Sequence, residues 1–146
     1  MLVYHYLPAR YGLEDIQRRE LKVARLDNLN DPHEFACFQQ STKLARIVFR
    51  NTVAGLAARF GILCFSATWR SPVMWAHYAD RHQGLCLGFE VADETLMPVN
   101  YVAERQPLEI EKHMKDGKVD EGFARQVLST KSHHWAYEQE QRVFVA

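Results

Sequence analysis

Three groups of side chains in this sequence have types and spacings suited to chemistry. The first is Glu138-x-Glu140-x-Arg142. Read as a strand, it puts two carboxylates and a guanidinium in one row. Carboxylates so placed repel, which raises the pKa of one unless a cation relieves them, and Arg142 can supply that cation. An ion-pair ladder on an exposed sheet face would use the same residues. A functional row would instead hold one carboxylate ready to bond a sugar hydroxyl or steady a developing cation. The second group is Met74-Trp75-Ala76-His77-Tyr78, where helical spacing places Met74, His77, Tyr78 and Arg81 on adjoining parts of one side. Trp75 and Tyr78 suit core packing, as large aromatics do. His77 carries the ring usual for acid–base work, with Asp80 one turn on to orient it. The third group is Ser66-Ala67-Thr68, whose hydroxyls either orient a ligand or cap the loop. His5 stands apart on the Val3/Leu7 face of the first strand pattern, as a hydrogen-bonded core histidine or as part of a site.

Several chemistries lack their marks. No Gly-x-Ser-x-Gly elbow surrounds Ser66, and neither a phosphate-binding glycine loop nor a dinucleotide fingerprint occurs. His113, His133 and His134 make no metal-ligand spacing and no close Cys/His pair repeats, so no metal is expected. Cys37, Cys64 and Cys86 cannot all pair, and two lie in apolar strand patterns, which reads as reduced thiols in a cytoplasmic protein. With 18 basic and 18 acidic residues the formal net charge is zero, so nucleic acid is not indicated as a partner. No apolar run approaches the roughly 18 residues of a membrane span, and neither a membrane partner nor a secretory signal is expected.

The elements that must position these groups follow from pattern. Leu2 to Leu7 reads as a strand, residues 13–20 as a short helical piece, and Leu21 to Leu26 as a half-exposed strand. Asp31-Pro32 starts a turn or helix in which Asn30 and Asp31 either cap the chain or support a neighbouring loop. Gln40 to Phe60 is the longest helical pattern. A strand over residues 62–65, a helix from Pro72 to about Asp80 capped by Ser71, and a strand from Leu85 to Phe89 form a central unit. Gly84 is free there to take a left-handed conformation. Val99 to Val102 is a short strand, residues 104–118 a polar surface segment, residues 119–132 a helix and Trp135 to Val145 a closing strand. At 146 residues, 47% apolar and 25% charged, strands interleaved with helices argue a single mixed α+β domain over residues 1–146, a central sheet with flanking helices.

Asn30-Asp31-Pro32, Cys64-Phe65-Ser66, Met74-Trp75-x-His77-Tyr78-Ala79, Gly84-x-Cys86-x-Gly88-Phe89, Val99-x-Tyr101 and Trp135-x-Tyr137-Glu138-x-Glu140-x-Arg142 occur in this order. Together they resemble the uncharacterised bacterial family called domain of unknown function 2971. That resemblance implies a shared fold and site without an activity, and a short or C-terminally truncated member, since the chain stops soon after the last motif. A second resemblance is to ADP-ribosyltransferases, through His5, Cys64-Phe65-Ser66-Ala67-Thr68 and Glu138-x-Glu140. It implies NAD as cofactor, with His5 on the nicotinamide ribose, Ser66 supporting the pocket and Glu140 favouring an oxocarbenium-like transition state.

The expected function is thus an ADP-ribosyltransferase-like, NAD-binding enzyme of a bacterial stress or phage-defence system. One alternative is a non-catalytic regulatory module that recognises a small-molecule or nucleotide ligand or a protein partner. The other is a nuclease or other hydrolase using His77 and Glu140. If the protein is an enzyme, Glu140, Glu138 and His77 are the catalytic candidates; His5, Ser66, Trp75, Tyr78 and Arg142 are the ligand-binding ones. His77 and Glu140 are expected to reach one cavity.

Overall fold

The computed structural model describes residues 1–29, 36–116 and 118–146. Asn30 and Asp31, expected to support a loop, lie outside the described residues. The chain opens with β1 (Leu2–Leu7), α1 (Ala9–Arg18), β2 (Ala24–Arg25) and β3 (Phe38–Gln39). Then come α2 (Lys43–Arg59), β4 (Gly61–Ser66), α3 (Pro72–Tyr78), β5 (Leu85–Glu90), β6 (Met97–Pro98), β7 (Asn100–Val102) and β8 (Gln106–Pro107). It closes with α4 (Ile110–His113), β9 (Met114–Lys115), β10 (Lys118–Val119), α5 (Glu121–Ser129), β11 (Thr130–Ser132) and β12 (Glu140–Val145). The main sheet has the order β5-β1-β4-β12-β6, with β2 also paired to β4, and its pairings are antiparallel. The domain is therefore α+β.

Local chemistry explains the elements that frame the site. Thr42 caps α2 by accepting from the Ala45 amide, and Ser71 caps α3 by accepting from the Met74 amide, with Pro72 in the first turn. Beyond α3 the chain takes three consecutive left-handed residues, Asp80, Arg81 and His82, with φ of 46°, 54° and 68°. That corrects the expected role of Gly84. Its missing side chain serves close packing: a Cβ there would lie 2.3 Å from the Leu7 carbonyl oxygen and 2.7 Å from the Ala79 carbonyl carbon. The turn and β5 can thus press against β1.

Two further expectations change. Only Ala24–Arg25 of the half-exposed strand pairs, against Ile62 and Gly61. The closing strand starts at Glu140, because His133–Glu138 forms a tight 3₁₀ helix that Gln139 ends in a left-handed conformation. Glu138 is consequently not in a strand row with Glu140 and Arg142.

Register assigns the sheet faces. Ser66 lies opposite both Tyr4 and Glu140, Cys64 opposite Arg142, and Ile62 opposite Phe144, so these residues share one face. At one end of that face Tyr4 and Tyr6 pack with Met74 and Tyr78. At the other, Ile62, Cys64 and Phe144 pack with Leu26 and Leu128. Ser66, Glu140 and Arg142 form a polar strip between two apolar clusters. A separate core of Phe38, Phe49, Ile110, Phe123 and Val127 joins α2, α4 and α5. Among the described residues no helix is long and apolar enough to cross a membrane, and the three cysteines are free of disulfides.

Candidate functional site

β4 changes partner along its length, and a cavity opens where it does. β1 meets β4 at Ser66, whereas β2 meets it at Ile62 and Gly61. On the edge between these pairings the Cys64 carbonyl accepts from His5 Nδ1 at 3.0 Å. A carbonyl can only accept, so Nδ1 carries the proton. The cavity here, about 310 Å³, has walls from Tyr4, Tyr6, Pro8 and Leu29. Ser66, Tyr78, Lys131, Glu138, Glu140 and Arg142 also line it.

Among the described residues, four buried charges make its floor. Arg142, 1% exposed, holds Glu140 with two bonds, Nε to Oε1 at 2.8 Å and Nη2 to Oε2 at 3.0 Å, and gives Nη1 to the Leu128 carbonyl at 2.6 Å. Lys131 Nζ bridges the two carboxylates, at 2.6 Å from Glu138 Oε2 and 3.1 Å from Glu140 Oε2, and lies 4.9 Å from the centre of the Trp135 ring. The Tyr78 hydroxyl donates to Glu138 Oε1 at 2.5 Å. Backbone bonds lock the floor to the sheet. Ser66 Oγ donates to the Glu138 carbonyl at 2.6 Å, and the Glu140 amide donates to the Tyr101 hydroxyl at 2.8 Å. No buried side-chain polar atom among the described residues lacks a partner. Such closure offsets the desolvation cost that burying four charges brings.

The two carboxylates differ in their protonation. Burial raises the Glu138 pKa above the ordinary value, outweighing the charge of Lys131 and the bonds from Lys131 and Tyr78. Burial also pushes Glu140 up, yet the charge and bonds of Arg142, with Lys131, outweigh it and bring the carboxyl down to about 2. Burial first, and then the Glu138 charge, pushes the Tyr78 hydroxyl up and keeps it a donor. Burial thus favours the protonated form of Glu138 more than water would, whereas Arg142 and Lys131 hold Glu140 as an anion.

The cavity thus brings together His5, Ser66, Tyr78, Glu138, Glu140 and Arg142. The expectation that His77 shares it is overturned: of the described lining residues, neither His77 nor Trp75 is one. His77 is exposed and its Nδ1 lies 3.1 Å from the Tyr137 hydroxyl, because the α3 helix turns Met74 and Tyr78 inward and His77 away from them. Trp75 packs edge-on to Tyr6 and donates its indole N–H to the Trp69 carbonyl at 2.7 Å, which fastens the loop before α3. Lys131 was not singled out by sequence reasoning. Its signal was indirect: two buried carboxylates need more than one cation, and Arg142 already stood in the motif. Among the described residues no three His, Cys, Asp or Glu side chains gather as metal ligands would.

Residues 74–143 match the model of a family described as Protein of unknown function (DUF2971). That stretch carries the Met74–Tyr78 motif, the Gly84–Phe89 motif, Tyr101 and the closing Trp135–Arg142 motif, so the family resemblance holds over it. No curated protein and no solved structure matches the chain.

Proposed function

We propose that this protein is a binding module whose cavity recognises a small polar or nucleotide-like ligand. The carrying observation is how fully the two floor carboxylates are committed to described partners. Glu140 has both oxygens bonded by Arg142 and one also by Lys131, and Glu138 is bonded by Tyr78 and Lys131. Groups committed in this way suit a fixed binding surface better than proton transfer, for which a carboxylate must reach the proton that moves. The cavity volume is at the small end of the range of about 300–1,000 Å³ found for ligand sites.

One observation favours a second reading, an ADP-ribosyltransferase-like enzyme that binds NAD. His5, Ser66 and Glu140, which lie far apart in sequence, line the same cavity. In that reading Glu140 would bond a ribose hydroxyl and stabilise positive charge developing on the sugar.

Thermal shift with NAD, ADP-ribose and nucleotides, run beside a nicotinamide-release assay, tests both readings, since a ligand that binds only the folded state raises its midpoint. The binding module is expected to give a shift without nicotinamide release. Release that Glu140→Gln abolishes in a folded variant supports the transferase instead. No shift with any compound overturns both readings for this class of ligand.

A further inference from the structure

We propose that the cavity takes a molecule with hydrogen-bond donors at its inner end and one anionic group, phosphate or carboxylate, at its outer end, held by Lys22. This rests on reading the cavity as a ligand site. The charged residues that line it divide in two. Lys131, Arg142, Glu138 and Glu140 are buried, two of each sign, and bonded to one another, so the charges of these described residues are balanced at the inner end. What it does present is acceptor capacity. Glu138 uses one bond on each oxygen, from Tyr78 and from Lys131, and a carboxylate has about four lone-pair sites. The Tyr78 oxygen, whose hydrogen is engaged in the bond to Glu138, keeps its own lone pairs. A ligand hydroxyl or amide can therefore donate there without displacing any existing bond.

Lys22 is different in kind. It lines the cavity, is exposed, and makes no ion pair with another described residue. It comes two residues before Ala24, which pairs with Ile62 on the strand edge beside the cavity. The carboxylates among the described lining residues are Glu138 and Glu140, both already bonded by buried cations. An anion at the mouth thus meets a cation with no competing acid among the described lining residues, and charge-assisted bonds to such an anion are the strong kind. Between the two ends Tyr4, Tyr6, Pro8 and Leu29 offer an apolar and partly aromatic wall suited to a flat body.

Isothermal titration calorimetry with adenosine, adenosine 5′-monophosphate and adenosine 5′-carboxylate tests the assignment, because the body stays constant while the anion changes. The wild type is expected to bind at least one anionic compound about fivefold or more tighter than adenosine, the size of one good ion pair at a surface. Which anion is preferred identifies its source. Lys22→Gln is expected to bring that ratio to near one while leaving adenosine affinity in place. Tyr78→Phe is expected to weaken all three compounds alike, since the inner end is common to them. Equal affinity for adenosine and both anions in the wild type would overturn the anionic end and leave the ligand-site reading standing. So would a preference that survives Lys22→Gln. A Tyr78→Phe variant that changes the preference while sparing adenosine would overturn the division into two ends. Binding of none of the three would overturn the proposal, with the cavity reading then decided by the NAD and ADP-ribose arms of the thermal-shift screen.

Discussion

The cavity floor and the core between α2, α4 and α5 are both buried, and different physics holds them. In the core, Phe38 and Phe49 pack with Phe123 and Val127, and stabilisation follows the apolar area removed from water. Each residue there contributes on its own terms. In the floor, Lys131, Glu138, Glu140 and Arg142 are bonded to one another, so removing one takes a bond from a buried charge or carbonyl. The core tolerates loss in proportion to size, whereas the floor stands or falls as a set.

The largest effects are expected from single truncations in the two regions. Lys131→Met leaves two buried carboxylates without their shared cation and is expected to cost about 3–5 kcal/mol in urea unfolding at neutral pH. Phe123→Ala, which empties a site with no exposed surface, is expected to cost about 3–5 kcal/mol by loss of contacts and creation of a cavity. Equal magnitudes make the pH profile the discriminating measurement. Glu140 has a folded pKa of about 2 against an ordinary 4.5, so it contributes stability above pH 4.5 that is lost as pH falls towards 2. Glu138 acts with the opposite sign: its raised folded pKa contributes stability below 4.5 that is lost as pH rises through the folded value. Glu140→Gln is accordingly expected to flatten the acid limb of stability between pH 4.5 and about 2, while Phe123→Ala lowers the curve without changing its shape. A core variant that altered the shape as much would erase the contrast.

Smaller effects sharpen it at the margins. Gly84→Ala puts a methyl against two backbone groups that cannot rotate aside, and an overpacking cost of about 1–3 kcal/mol is expected from thermal melts. Ser71→Ala removes the α3 cap, whose oxygen accepts from the Met74 amide at 3.3 Å, and is expected to cost about 1 kcal/mol. Both act on the scaffold around Tyr78, so neither should change the acid limb.

Local signals made much of this arrangement legible in the sequence. Ser71-Pro72 marked the start of α3, the apolar runs on either side marked β4 and β5, and the first strand was read at its full length. His5, Ser66, Tyr78, Glu138, Glu140 and Arg142 were singled out by type and do meet at one cavity. What could not be read depends on long-range partners. Lys131 follows a short helix in a polar stretch and looks like any surface lysine until β11 and the 3₁₀ turn carry it under Glu138 and Glu140. Glu138 reaches the floor because Gln139 turns left-handed, which alternation along a strand cannot foresee. His77 was misplaced because helical spacing gives an angle around α3 without saying which angle faces the sheet. The sheet order, with β1 between β5 and β4, is likewise a property of the whole fold.

A double-mutant cycle on Glu140 and Arg142 tests most directly whether the floor is a closed unit. Urea unfolding would be measured for Glu140→Leu, Arg142→Met and the pair together. Each single variant is expected to lose about 3–5 kcal/mol, and the double variant, which leaves Lys131 balanced by Glu138, to recover most of that, with a coupling above about 2 kcal/mol. Costs that add to within about 0.5 kcal/mol would contradict the account. They would mean that Glu140 holds its charge independently of Arg142, as a carboxylate free for chemistry does.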